Sequence, residues 1–289
     1  MIIIQPSGGL CNRIRSINSA ATLARKKGVP LKVLWLNAPE LNCPFEELFL
    51  PTDEFELINI HSLNNPKKLF LQLTARQRFN NEDILKNKTG DMLNEDFYEK
   101  LSDSVYIFTW EQFYPTEDYH LFRPTPQIQE KINAITADFS SHMIGVHIRR
   151  TDNVTAIGKS GTDAFIRAME TEIAADPEVR FFLATDEKKE EAILREHFGE
   201  KLLTNENRVI DRNSVQGMHD AMIDLFSLAA TDKILGSYWS SFTCLLYTSP
   251  AIPLSVISPL DSPKVPRPHT YAACRSDQLL PKVFSLMPA

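Results

Sequence analysis

Residues 144–152 read IGVHIRRTD, and the fold of the whole chain follows from how that stretch is placed. From 143 to 148 it is an apolar run interrupted only by His147, which suits an inner parallel strand covered on both faces. In open α/β sheets the ligand crevice lies beyond the carboxyl ends of the strands. There this strand delivers Arg149, Arg150 and Asp152. A guanidinium matches phosphate oxygens with a planar fork of donors, so the position invites a phosphate. Strand alternation puts His147 and Arg149 on one side and Val146, Ile148 and Arg150 on the other. The arginines are therefore not equivalent: one meets ligand and the other braces the site. The bland alternative is an Arg–Asp salt bridge at a strand end.

Working outward, the second half alternates strands with helices. A helix is expected from 163 to 175, a strand over 180–184 (RFFLA) ending in Thr185-Asp186, and a charge-laced helix over 187–198. A short strand at 201–203, a helix over 217–231 and a strand at 233–235 ended by Gly236 follow. Ser240-Ser241 reads as the cap of a helix over 242–248, and 252–257 as a last strand. Such alternation indicates a parallel sheet.

The N-terminus repeats the theme. Ile2 to Ile4 form a short strand, Pro6-Ser7-Gly8-Gly9 a turn, 11–27 a helix with Ile14, Ile17, Ala21 and Ala24 on one face, and 31–36 a second strand. This is a βαβ unit, with Asn12 and Arg13 placed just after its glycine turn. The glycine pair lacks the spacing of a dinucleotide fold or a P-loop. An Asn cap and a solvated Arg are the plain alternative. Between 40 and 140 the reading is poorer: strands at 55–60 and 105–109, a mixed segment over 69–79 with no assignment, a polar run over 80–96, and a helix over 128–139. Domains of 1–140 and 141–289 result.

At 289 residues the chain suits two domains of roughly 100–150 residues. Its net charge of −6 argues against a general nucleic-acid binder, so any phosphate site is a local basic spot. The four scattered cysteines show no metal-ligand spacing and favour a reducing, cytoplasmic setting. No signal peptide or transmembrane segment is expected from the apolar runs.

The helix over 217–231 carries a further constellation. Met218, Ala221, Met222, Leu225 and Ala229 mark its packed face, while Asp220, Asp224, Ser227 and Thr231 form a polar stripe. Asp224 borders the apolar face and could accept two hydrogen bonds from a guanine edge; the alternative is a solvated face. Ser240 and Ser241 offer a helix start to a phosphate, or simply cap it.

Taken together, GGLCNR near the N-terminus, GVHIRRTD, RFFLATD and IDLFSLAATDKILGSYWSSF resemble the fucosyltransferase superfamily of α1,2-, α1,6- and protein O-fucosyltransferases. GVHIRRTD is nearest the α1,6 type. The resemblance implies a GT-B fold, with two Rossmann-like domains facing across a cleft, and inverting transfer from GDP-fucose to a glycan or oligosaccharide hydroxyl without a bound metal. It further implies that Arg149 binds the β-phosphate with His147 beside the nucleoside. Arg150 and Asp152 complete the site, Asp224 holds guanine, and Ser240 or Ser241 meets the diphosphate. Asn12 and Arg13 reach in from the first domain. For the general base, Asp163 of Gly161-Thr162-Asp163 competes with Asp152, and departure of GDP can also lead without a base. A form without stem or anchor suggests a bacterial glycan-building enzyme. The alternatives are a transferase using another nucleotide sugar and a non-catalytic nucleotide- or glycan-binding module.

Overall fold

The computed structural model describes residues 1–115, 119–151, 160–238, 240–247 and 254–257. These fall into two compact units, Met1–Thr125 with Asp211–Met218, and Pro126–Ile210 with the described residues from 219 to 257. The helix over 128–139, read from sequence as closing the first domain, belongs with the second.

The first unit holds a five-stranded, all-parallel sheet. Its strands are β1 (Ile2–Pro6), β2 (Leu31–Leu36), β3 (Glu56–Ile60), β4 (Gln77–Phe79) and β7 (Val105–Thr109), in the order β3-β2-β1-β7-β4. A two-stranded hairpin, β5 (Lys88–Thr89) with β6 (Met92–Leu93), lies apart from it. Helix α1 (Leu10–Lys27) buries the expected Ile14, Ile17, Ala21 and Ala24. It ends at Gly28, whose φ of 64° is the left-handed geometry that glycine adopts without a Cβ penalty. Basic Arg25, Lys26 and Lys27 in its last turn complement the helix dipole.

In the middle of the chain the strands expected at 55–60 and 105–109 form, as β3 and β7, and the connecting pieces are short helices: α2 (Phe45–Leu48), α3 (Pro66–Thr74), α4 (Asn81–Lys86) and α5 (Glu95–Glu99). Asn65 caps α3 through Lys67 and Lys68 N–H groups, with Pro66 in the first turn. Asn80 and Asp83 form a reciprocal capping box at α4. The unassigned 69–79 thus divides into the end of α3 and the edge strand β4.

In the second unit, β8 (Met143–Ile148) is the centre of a parallel sheet ordered β10-β9-β8-β11-β12, with β9 (Arg180–Thr185), β10 (Leu202–Thr204), β11 (Lys233–Ser237) and β12 (Leu254–Ile257). Helices α6 (Pro126–Thr136), α7 (Thr162–Ala175), α8 (Lys188–Phe198), α9 (Val215–Ala229) and α10 (Ser241–Tyr247) complete it. The order reverses at β8, between β9 and β11, which is the switch point where doubly wound sheets bind ligands.

Alternation along β8 holds. Ile144, Val146 and Ile148 join one buried cluster with Phe165 and Met169 of α7 and Leu194 and Phe198 of α8. The opposite face carries Gly145 and His147. A Cβ at Gly145 would lie 2.7 Å from Thr231 Oγ1 and 2.9 Å from Leu228 Cδ2, so glycine is what lets the end of α9 settle on the strand. Gly236 does not end β11 as expected; the strand runs through it to Ser237. Its missing Cβ makes room for Thr243 of α10, which a methyl would overlap. Gly236→Ala is therefore expected to cost roughly 1–3 kcal/mol of stability through overpacking, read as a lower urea midpoint, and an unchanged midpoint would refute that packing role.

Candidate donor-nucleotide site in the second unit

The register brings three chain exits together. Gly236 stands beside His147 and Thr185 beside Ile148, so Arg149, Asp186 and Ser237 leave the sheet side by side. Asp186 is the hub. Its carboxylate accepts from the Arg150 backbone N–H at 2.7 Å, the Thr151 hydroxyl at 2.7 Å and Arg149 Nη1 at 2.9 Å. Ser237 Oγ accepts from the Arg149 backbone N–H at 2.9 Å.

The two arginines separate as the alternation predicted. Arg150 goes to the α7–α8 face, where Nε donates to Glu190 Oε1 at 2.8 Å and the guanidinium lies over Phe165, 5.9 Å from the ring centre. Thr162 completes the arrangement, donating to Glu190 at 2.9 Å. Both partners are nearly enclosed, with side chains 9% and 11% exposed. Arg149 is twice as exposed, at 18%. A salt bridge of the kind offered as the bland alternative does exist, between Arg149 and Asp186, a strand away.

His147 is buried. Its Nδ1 lies 2.6 Å from Thr243 Oγ1, and its ring stacks on Phe242 at 4.8 Å. Burial, helped by the charge of Arg149, pushes its pKa down to about 3, so it is a neutral ring near pH 7.

The polar stripe of α9 is not a solvated face. Asp220, Asp224, Ser227 and Thr231 are all buried. Asp220 Oδ2 accepts from the Val209 backbone N–H at 2.9 Å, and Thr231 donates to the Leu228 carbonyl. Asp224 Oδ1 and Ser227 Oγ have no hydrogen-bond partner among the described residues. Burial pushes the Asp224 pKa up to about 7, with Arg208 pulling it back down. A carboxyl whose folded pKa is raised holds its proton longer than in the unfolded chain. Its contribution to stability therefore falls as pH rises from about 4 to about 7. The Tm of Asp224→Asn relative to the parent protein is expected to improve by at least about 2 °C between pH 5 and pH 8. A pH-independent difference would contradict the raised pKa.

Other expected site residues fall differently. Ser240 is buried and Ser241 half-buried at the start of α10. Asp163 is exposed in the first turn of α7, next to Thr162. Asp152 lies outside the described residues. In the first unit, Asn12 is half-buried and its side chain closes over Gly8. Arg13 is turned inward, against the expectation that it reaches toward ligand. It is 1% exposed, donates to the Gly8 carbonyl at 2.9 Å and the Leu36 carbonyl at 2.6 Å, and stacks on Trp35. That geometry makes it a brace between the glycine turn and β2. Sequence reasoning missed Glu190, Arg208 and Thr243. Each sits in a run of ordinary helical or loop residues, and only its distant partner marks it.

No protein-family model and no curated protein matches this chain. Solved structures do. The NodZ α1,6-fucosyltransferase soaked with GDP-fucose superposes with a TM-score of 0.60 at 17% identity, over 88% of this chain and 93% of that one. An Arabidopsis thaliana FUT1 variant in complex with GDP gives a TM-score of 0.60 at 14% identity, over 88% and 69%. POFUT1 in complex with GDP gives 0.54 at 13% identity, over 89% and 98%. At such identities the likeness concerns the backbone: the chain has the mixed α/β, parallel-sheet fold of these fucosyltransferases.

Proposed function

We propose that the protein is an inverting fucosyltransferase of GT-B architecture, moving fucose from GDP-fucose to a glycan hydroxyl without a required metal. The observation that carries this reading is Arg149, held by Asp186 at the carboxyl end of the central strand β8 and more exposed than its neighbour. The likeness to structures holding GDP or GDP-fucose supports it.

On this reading the bond from fucose C1 to the β-phosphate oxygen breaks, and its electron pair goes to GDP. Negative charge builds on that oxygen in the transition state, and a fixed guanidinium stabilises it more there than in the ground state. Arg149 supplies that charge, while Arg150 holds the turn through Glu190. The acceptor hydroxyl attacks the opposite face of C1, inverting it, and its proton passes to Asp152, Asp163 or solvent. Asp224 accepts from the guanine edge with its unpartnered Oδ1, His147 lies beside the nucleoside, and the Ser240 or Ser241 hydroxyl meets the diphosphate. The acceptor pocket is assigned to the first unit.

A panel of nucleotide sugars, followed for donor hydrolysis with and without chelator, tests the proposal. GDP release from GDP-fucose alone, unchanged by chelator, is expected. Strict metal dependence, or equal turnover of UDP-sugars, would overturn it.

A further inference from the structure

Asp224 is approached by a ladder of alternating charge that begins on the surface of the second unit. Arg195 of α8 pairs with Glu191 at 3.2 Å, and Glu191 pairs with Arg208 at 2.9 Å. Arg208 then points its Nε at Asp224 Oδ2, 3.7 Å away. Arg208 is the fixed rung. Its side chain is 5% exposed, and its two terminal nitrogens donate to the Asn205 carbonyl and the Thr185 carbonyl, each at 3.2 Å. Those contacts tie the loop after β10 to the carboxyl end of β9, one residue from the Asp186 hub. Nε itself has no hydrogen-bond partner among the described residues. It acts on Asp224 as a charge held in place at one oxygen, leaving Oδ1 without a partner on the other.

We infer that Arg208 is a positioning residue for the donor base: it holds Asp224 as a carboxylate acceptor, with Oδ2 engaged and Oδ1 left for ligand. The inference rests on the assignment of Asp224 to guanine. A guanine N–H needs an acceptor, and ionisation leaves Oδ1 purely an acceptor, whereas a protonated acid can present a hydroxyl there. Among the described residues, the groups facing Asp224 are Arg208 and Asn205 from the loop after β10, Asp220 from its own helix and Glu191 from α8. Asp220 and Glu191 disfavour a second negative charge, and burial disfavours any charge. The Asn205 amide favours the carboxylate, yet its Nδ2 has no partner with hydrogen-bond geometry among the described residues. Arg208 is therefore the principal counterweight. Without it the Asp224 carboxyl holds its proton to higher pH, and a hydroxyl there opposes a guanine N–H instead of accepting it.

The site tolerates the test. A cavity of 360 Å³ is lined by Arg208 with Glu191, Arg195, Asn205 and Asn207 among others, so a shortened side chain leaves Glu191 in a space that holds water. GDP and UDP affinities of the full chain would be measured by calorimetry from pH 6 to 9 for the parent, Arg208→Gln and Arg208→Lys, with Tm recorded for each. Arg208→Gln is expected to weaken GDP at pH 7 by at least about tenfold and to recover toward pH 9, moving the midpoint of the affinity profile upward. Arg208→Lys returns the midpoint toward the parent, and UDP affinity does not follow the pattern. A merely structural role for Arg208 would lower affinity equally at every pH, or leave the midpoint in place; either result overturns the inference. If the parent binds no GDP, the proposed function fails on its own. Arg208 is then judged by a carbon-13 titration of the Asp224 carboxyl, where an unshifted midpoint in Arg208→Gln refutes the coupling.

Discussion

Arg149→Ala is expected to lower fucosyl transfer by roughly 100- to 1,000-fold, the usual cost of losing one preorganised donor to developing charge. The fold should survive. Asp186 keeps its bonds from the Arg150 backbone N–H and from Thr151, so removing the Arg149 guanidinium does not strand a buried charge. Tm should therefore stay within about 2 °C of the parent. Arg149→Lys should restore only part of the activity, since an ammonium lacks the planar fork that spans two phosphate oxygens. A fully active Arg149→Ala would remove the leaving-group role from this residue and with it the principal support for the proposed chemistry.

The opposite signature is expected one residue later. Arg150→Ala leaves Glu190 in a nearly closed site with Thr162 as its remaining hydrogen-bond donor. Breaking a buried ion pair from one side costs roughly 3–5 kcal/mol because the other charge stays behind. For a unit of this size that corresponds to a fall of about 10 °C in the Tm of the second unit's transition. Removing both charges with Arg150→Met and Glu190→Leu should recover most of the loss, because the pair's desolvation cost disappears together with its attraction. An Arg150→Ala protein with the parent's Tm would show that the pair contributes nothing. The two adjacent arginines are thus separable by experiment: one by turnover at constant stability, the other by stability first.

Much of this was legible beforehand because it is local. The period of two in residues 143–148 divides the arginines between two faces. The spacing of Ile14, Ile17, Ala21 and Ala24 names the face of α1 that packs. Both follow from backbone geometry that a few neighbouring residues determine. Between 40 and 140 the strands at 55–60 and 105–109 were legible but the helices were not, since these are short and held by caps such as the Asn80–Asp83 box rather than by long apolar stripes. Gly236 was misread for a related reason. In sequence a glycine after an apolar run looks like a stop, whereas its function is to admit Thr243 from a helix that the strand has yet to reach.

Sequence alone determined that this chain forms parallel α/β units, and that an inner strand presents two inequivalent arginines at its carboxyl end. Tertiary structure alone decided which carboxylates those arginines meet. Asp186 and Glu190 lie far along the chain from them, and a charge finds its partner through sheet order and helix packing. The same reason separates Asp224 from a solvated residue and Arg13 from a ligand contact. Whether a polar group is buried depends on what packs over it: for Asp224 the loop after β10, for Arg13 the neighbouring strand. Periodicity names the face a side chain occupies, and packing alone decides whether that face meets water, another charge or a ligand.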